Sequence, residues 1–199
     1  MIPPSSPQCS LTHVPVAGLA GDAEFDPKAT PARGFDAVAE AVLGEDGVAA
    51  GAVLGEAMAR VNAAVRDGRI DVAADLAERT VREASGTLGD EHPEVLRLRE
   101  LTAYIAYLAG DPLRAFRLSL DLAGLWHRKE DAEAAYGNVQ SAATAWRAVR
   151  DPEQGLRLGA DLITLWTELT EGDGPAADDT EELESARARM RRLTLRAAR

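Results

Sequence analysis

The chain has 199 residues, 46% of them hydrophobic, and a formal charge of −11, which allows one domain with a real core or a short array of repeats. That charge opposes a duplex-binding surface, which needs a basic stripe to release counterions, so nucleic acid is not an expected partner. One cysteine, Cys9, rules out an intramolecular disulfide, and no apolar run reaches the roughly 18 residues of a membrane span.

The N-terminus has no basic leader followed by an apolar run, so a cytoplasmic protein is expected. Basic residues are nearly all Arg, with Lys28 and Lys129 the only lysines. Together with the Ala and Gly content, that usage suggests a GC-rich, bacterial genome. Residues 1–34 carry Pro3, Pro4, Pro7, Pro15, Pro27 and Pro31 and few large apolar side chains, the composition of a disordered or extended arm. A helical lead-in over 35–50 follows, in which FDAVAEAVLG reads as a short helix ended by Gly44. Val53, Leu54, Met58, Val61 and Val65 then recur at helical spacing up to Gly68. The next helix, Asp71 to Ala84, is expected to turn Val72, Leu76, Thr80 and Val81 inward.

SGTLGDEHPEV reads as a loop leading into a helix at Pro93, since proline is tolerated in a first turn where its missing N–H is not needed. That helix, Pro93 to Ala109, carries Leu96, Leu98, Leu101, Ile105 and Leu108. Asp111-Pro112 opens another helix, to about His127, with an aspartate cap and a proline at the first position. Asp131 to Val149 follows, and Asp151-Pro152 opens a helix reaching Leu169. An acidic linker, 170–179, leads to a C-terminal helix over 180–199, where Asp179 and Glu182 have capping-box spacing. Its acidic start and its Arg187, Arg189, Arg191, Arg192, Arg196 and Arg199 complement the helix dipole. No stretch alternates like a strand, so the chain is expected to be all-α, in antiparallel helix pairs with short turns.

Residues 110–126, GDPLRAFRLSLDLAGLW, recur at 150–166 as RDPEQGLRLGADLITLW, with eight identities in seventeen ungapped positions. A fixed period of this size marks stacked repeats, which present surfaces rather than perform chemistry. The two helices are apolar nearly all round and must be buried by more than one neighbour. Trp126 and Trp166 are therefore expected between repeats, and the Arg117–Asp121 and Arg157–Asp161 pairs at the solvated surface.

TLGDEHPEVLRLRELTAYIAYLAGDPLRAFRLSLDLAGLW resembles the kinesin-light-chain-like long repeat of the tetratricopeptide repeat (TPR) family. The residues that carry the resemblance are Leu88, Gly89, Asp90, His92, Pro93, Gly110 and Asp111. In that frame the small positions of close helix packing fall at Val61, Ala103 and Ala143, and at Ala73, Ala115 and Gly155. The family's large aromatics are mostly missing: Ala64 and Ala106 stand where Tyr is usual, against Trp146. The resemblance implies a short right-handed α-solenoid of antiparallel helix pairs. It would hold about three TPR-like repeats, at 51–84, 92–128 and 131–169, plus a C-terminal capping helix.

In the family, helix A of each repeat lines a concave groove. That frame implies a partner-binding groove of Met58 and Asn62, then Arg97, Glu100, Tyr104 and Tyr107, then Gln140, Thr144 and Arg147. Residues 97, 100, 104 and 107 also share one helical face by spacing alone, and Tyr and Arg are enriched at binding hot spots. The two tyrosines would equally suit packing against the N-terminal helices. One branch of the family clamps peptide carboxylates with Lys and Asn; here Asn62 fits but Met58, Leu101, Gly137 and Ser141 do not, which disfavours a chaperone-tail ligand.

His13, His92 and His127 are too scattered for a metal site, and Cys9 and His13 lie in the arm, where nothing holds catalytic geometry. No phosphate-binding glycine loop is present. No cofactor is expected and an enzyme is not. The expectation is a non-catalytic adaptor that binds a protein or peptide in the groove. The alternative is a ligand-responsive regulatory module, sensing a peptide or small molecule and controlling a partner.

Overall fold

A computed structural model describes residues 34–43 and 52–198. The expected arm before Gly34, including Cys9 and His13, and the helix stop at Gly44 lie outside the described residues. Within them the chain is all-α, with no strand. The helices are α1 (Asp36–Leu43), α2 (Ala52–Arg66), α3 (Ile70–Leu88), α4 (Pro93–Leu108), α5 (Pro112–Arg128), α6 (Ala132–Ala148), α7 (Pro152–Thr170), the single turn α8 (Pro175–Asp178) and α9 (Thr180–Ala197). None of the described helices is long and apolar enough to cross a membrane.

The helix starts follow the local chemistry. Asp111, Asp131 and Asp151 each accept a hydrogen bond from the backbone N–H three residues on, at 3.0, 2.9 and 2.6 Å, satisfying a donor that the helix leaves orphaned. His92 caps α4 through Nδ1, which accepts from Glu94 N, two residues on, at 3.3 Å. Gly68 and Gly110 follow α2 and α4 with positive φ, the left-handed step that ends a helix at least cost in glycine.

Three local expectations need correction. First, α3 does not stop at Ala84 but runs on through Gly86 to Leu88, because the sharp break comes at Gly89, with φ 92°. Second, Val72 is 43% exposed, and the inward face of α3 is Ala73, Ala77, Thr80 and Ala84. These small side chains let α3 close on its neighbours, while Val72 stands one position off that face. Third, Asp179 makes no side-chain cap to α9; its carboxylate instead accepts from the Tyr136 hydroxyl at 2.7 Å. The stretch 170–179 also holds α8, whose Ala176 is buried.

The helices pack in neighbouring pairs, α2 with α3, α4 with α5 and α6 with α7, and each pair packs on the next. All six small-position residues, Val61, Ala73, Ala103, Ala115, Ala143 and Gly155, are buried. On α6, Ala135, Tyr136, Asn138, Val139 and every residue from Ser141 to Trp146 are buried. Trp126 and Trp166 hold equivalent places, each fourteen residues after its helix-opening proline. They differ in depth, however. Trp166 is fully buried, edge-on to Tyr136, whereas Trp126 is only partly buried, and its Nε1 donates to Glu100 at 3.0 Å. Arg117, Asp121, Arg157 and Asp161 are exposed, and none is in an ion pair among the described residues.

The last pair is closed by α9, which packs on α7 through Leu183, Ala186, Met190 and Leu193. Arg189 lies over the Trp146 ring at 4.9 Å. Its Nη2 donates to the carbonyls of Trp146, Arg147 and Val149 at 3.2–3.3 Å, at the end of α6, where helix carbonyls lack partners.

Candidate functional site

The first-helix faces of α4 and α6 meet the start of α1. There the chain crosses α6 as Gly34–Phe35 before α1 begins. Phe35 is fully buried, with its ring 5.6 Å from Tyr104 and 5.2 Å from Tyr107, tilted against both. The carbonyl of Gly34 accepts a hydrogen bond from Ser141 Oγ. Gly34 has φ 103°, and a Cβ there would stand 2.6 Å from Thr144 Oγ1 and from the Gln140 carbonyl carbon. Only glycine fits this crossing, for both reasons.

Tyr104, Tyr107, Gln140 and Thr144, all expected in the groove, are thus brought together around one segment of the same chain. Tyr104 is only 5% exposed, and burial pushes its hydroxyl above the usual phenol range. The packing of the two tyrosines against N-terminal residues is the arrangement seen. Glu100 lies one turn before Tyr104, and its Oε1 accepts from both Trp126 Nε1 and Asn138 Nδ2, at 3.0 and 2.9 Å. It is a bridge between α4, α5 and α6 rather than a free charge.

The other expected residues lie at the edge of this cluster or apart from it. Arg147 pairs with Glu182 of α9 at 2.7 Å, with both side chains more than a third exposed. Arg97 is exposed at the start of α4 and makes no ion pair among the described residues. Asn62, on α2, has a buried Oδ1 without a hydrogen-bond partner. Met58, beside it, is half-buried between the two core clusters.

Open space lies on both sides of the Gly34–Asp36 crossing. A cavity of about 770 Å³ is bounded by Tyr107, Gln140, Arg147, Trp166, Asp179 and Glu182. A second, of about 340 Å³, is bounded by Val38, Glu100, Glu133, Asn138 and Ser141. Asp36 borders both. Among the described residues the lining is mainly acidic, and its Arg147 is paired with Glu182. Tyr136, beneath the larger cavity, has its hydroxyl pushed well above the usual phenol range, by burial first and then by Asp179. The indole Nε1 of Trp166 is buried without a partner. Among the described residues no group of three or more His, Cys, Asp or Glu is arranged to hold a metal ion.

Phe35, Ser141, Asn138 and the α9 carboxylates were not expected in the site. Phe35 had a signal: it follows a glycine and is the last residue before an amphipathic stretch. The α9 residues had none, because pairing across 35–43 positions of sequence leaves no local pattern. Comparisons with protein-family models, curated proteins and solved structures returned no match.

Proposed function

We propose that this chain is a non-catalytic adaptor whose first-helix face, α2, α4 and α6, receives a segment of a partner protein. The observation that carries the reading is the seat of Gly34–Phe35. It holds a polypeptide by a hydrogen bond to its backbone carbonyl and by a pocket for one aromatic side chain, the two elements that give a peptide groove affinity and selectivity. The hairpins are read as TPR-like repeats, the protein as cytoplasmic and bacterial, and the groove as a site for protein rather than nucleic acid, in keeping with the charge of −11.

The test is site-resolved photocrosslinking in cells. A photoreactive side chain at Gln140 or at Arg147 should trap a discrete partner. The same group at Arg117, exposed on α5, should not. Equal trapping from both faces, or none from the groove, would refute the adaptor reading. The alternative, a ligand-responsive module, draws on the 770 Å³ cavity beside the unpartnered Trp166 indole. It predicts that a small molecule or peptide bound there raises the melting temperature.

A further inference from the structure

We propose that Gly34–Phe35, with α1 behind it, is a built-in occupant of the groove, and that the partner displaces it with a segment of the same chemistry: glycine followed by an aromatic residue. This deepens the adaptor reading and rests on it.

Four observations carry the inference. The contact to Gly34 is made by a side chain, Ser141 Oγ, to a backbone carbonyl, so it is available to any polypeptide in that place. The aromatic seat includes the groove's own tyrosines, Tyr104 and Tyr107, against which the fully buried Phe35 packs. The crossing leaves cavities of about 770 and 340 Å³ beside it. An integral core element fills its surroundings to crystal-like density, whereas a short occupant of a longer groove does not. Finally, α1 has eight residues, fewer than the roughly 12–15 at which a helix is even marginal alone in water. Its order therefore depends on being docked, and undocking it regains chain entropy.

The selectivity follows from the same geometry. Any side chain at the Gly34 position would overlap Gln140 and Thr144 and would have to adopt φ 103°. A smaller side chain at the Phe35 position would leave both tyrosine rings uncovered.

The experiment uses the full chain and a labelled peptide of residues 32–43, ARGFDAVAEAVL, read by fluorescence polarisation. Wild type, Phe35→Ala and Gly34→Val are compared, each checked for helicity and cooperative melting. Both variants should bind the peptide at least tenfold more tightly than wild type, since their own segment no longer competes. Adding Tyr107→Ala to Phe35→Ala should abolish binding, as should Phe35→Ala within the peptide. If folded variants fail to bind the peptide, the seat does not accept a free segment and the proposal falls. If wild type binds as tightly as the variants, the segment does not compete and the proposal falls equally. Neither outcome touches the adaptor reading, which fails separately if no partner is trapped from Gln140. A partner trapped there with equal yield in wild type and Phe35→Ala would preserve that reading and overturn this one.

Discussion

Gly137 and Gly159 are interior helical glycines on α6 and α7, and the same substitution should move stability in opposite directions at the two. An unobstructed Gly→Ala change inside a helix gains about 0.8–1 kcal/mol of helical preference. At Gly137 a Cβ meets nothing within 4 Å, so Gly137→Ala should stabilise the fold by about 0.5–1 kcal/mol. At Gly159 the Cβ would stand 2.6 Å from Cζ2 and 2.9 Å from Cε2 of Trp146, and would also overlap Met190 Sδ. Met190 can swing aside. The indole cannot, because its Nε1 donates to Gly155 O at 2.7 Å and Arg189 covers its face. Carbon atoms sit comfortably at about 3.5–4.0 Å, so ring or helix must give by about 1 Å, and overpacking of that kind costs about 1–3 kcal/mol. Net of the helical gain, Gly159→Ala should destabilise by up to about 2 kcal/mol. For a chain of this size the two variants should melt roughly 1–12 °C apart, with urea midpoints followed by circular dichroism giving the free energies. If Gly159→Ala unfolds at or above the wild-type midpoint, α9 and Trp146 do not enclose α7 as described, and the closed end of the array is wrong.

Three further outcomes are expected. Glu130 holds φ 60° in the turn between α5 and α6, so Glu130→Gly should raise stability by about 0.5–1 kcal/mol, and a fall in the urea midpoint would show that its side chain holds the turn. Arg189→Ala removes three carbonyl contacts and the stack on Trp146, and should cost about 2 kcal/mol; Arg189→Lys should recover only part, because an ammonium cannot stack and fork together. Equal stability of all three forms would refute the role of Arg189 at the end of α6. Tyr104 and Tyr136 both have raised hydroxyl pKa values, by burial first. The folded chain thus keeps those protons longer than the unfolded chain. That stability is fully present below about pH 10, the free tyrosine value, and is lost as pH climbs beyond it. Tyr136→Phe should flatten the alkaline decline in urea midpoint between pH 9 and pH 11.5, and an unchanged slope would refute the assignment.

What was legible in the sequence was whatever is decided locally or repeats. The Asp-Pro starts at 112 and 152 follow from local capping chemistry and the recurring Trp126 and Trp166 from the repeat, while the small residues at 73, 103, 115 and 143 were implied by the family resemblance. Val72 is exposed where the helical spacing predicts an inward side chain, because α3 closes on alanines. Asp179 was misjudged because capping-box spacing cannot reveal that Tyr136, 43 residues earlier, competes for the same carboxylate. Residues 97, 100, 104 and 107 share one helical face by spacing, and packing of the tyrosines against N-terminal residues was an open alternative, but no pattern singled out Phe35. Phe35 is far from Tyr104 in sequence, and only packing brings it there.

Whether that occupant is a core element or a docked ligand is a question of energy, and the structure sets the scale. Burying Phe35 contributes about 1.5–3 kcal/mol, and Ala39, also buried, adds less. A segment that docks and releases is expected to have a docking free energy of about 1–3 kcal/mol, well below the 5–15 kcal/mol typical of a whole domain. Native-state hydrogen exchange separates the two. Amides of α1 should be protected only about 5- to 150-fold, the equivalent of that free energy, while the buried face of α6 exchanges through global unfolding. Phe35→Ala should erase the protection of α1 and leave α6 nearly unchanged, because α6 is fixed by Asp131 at its start and Arg189 at its end. If α1 instead exchanges together with α6, Phe35 belongs to the cooperative core, the groove is permanently filled, and a partner must use another face.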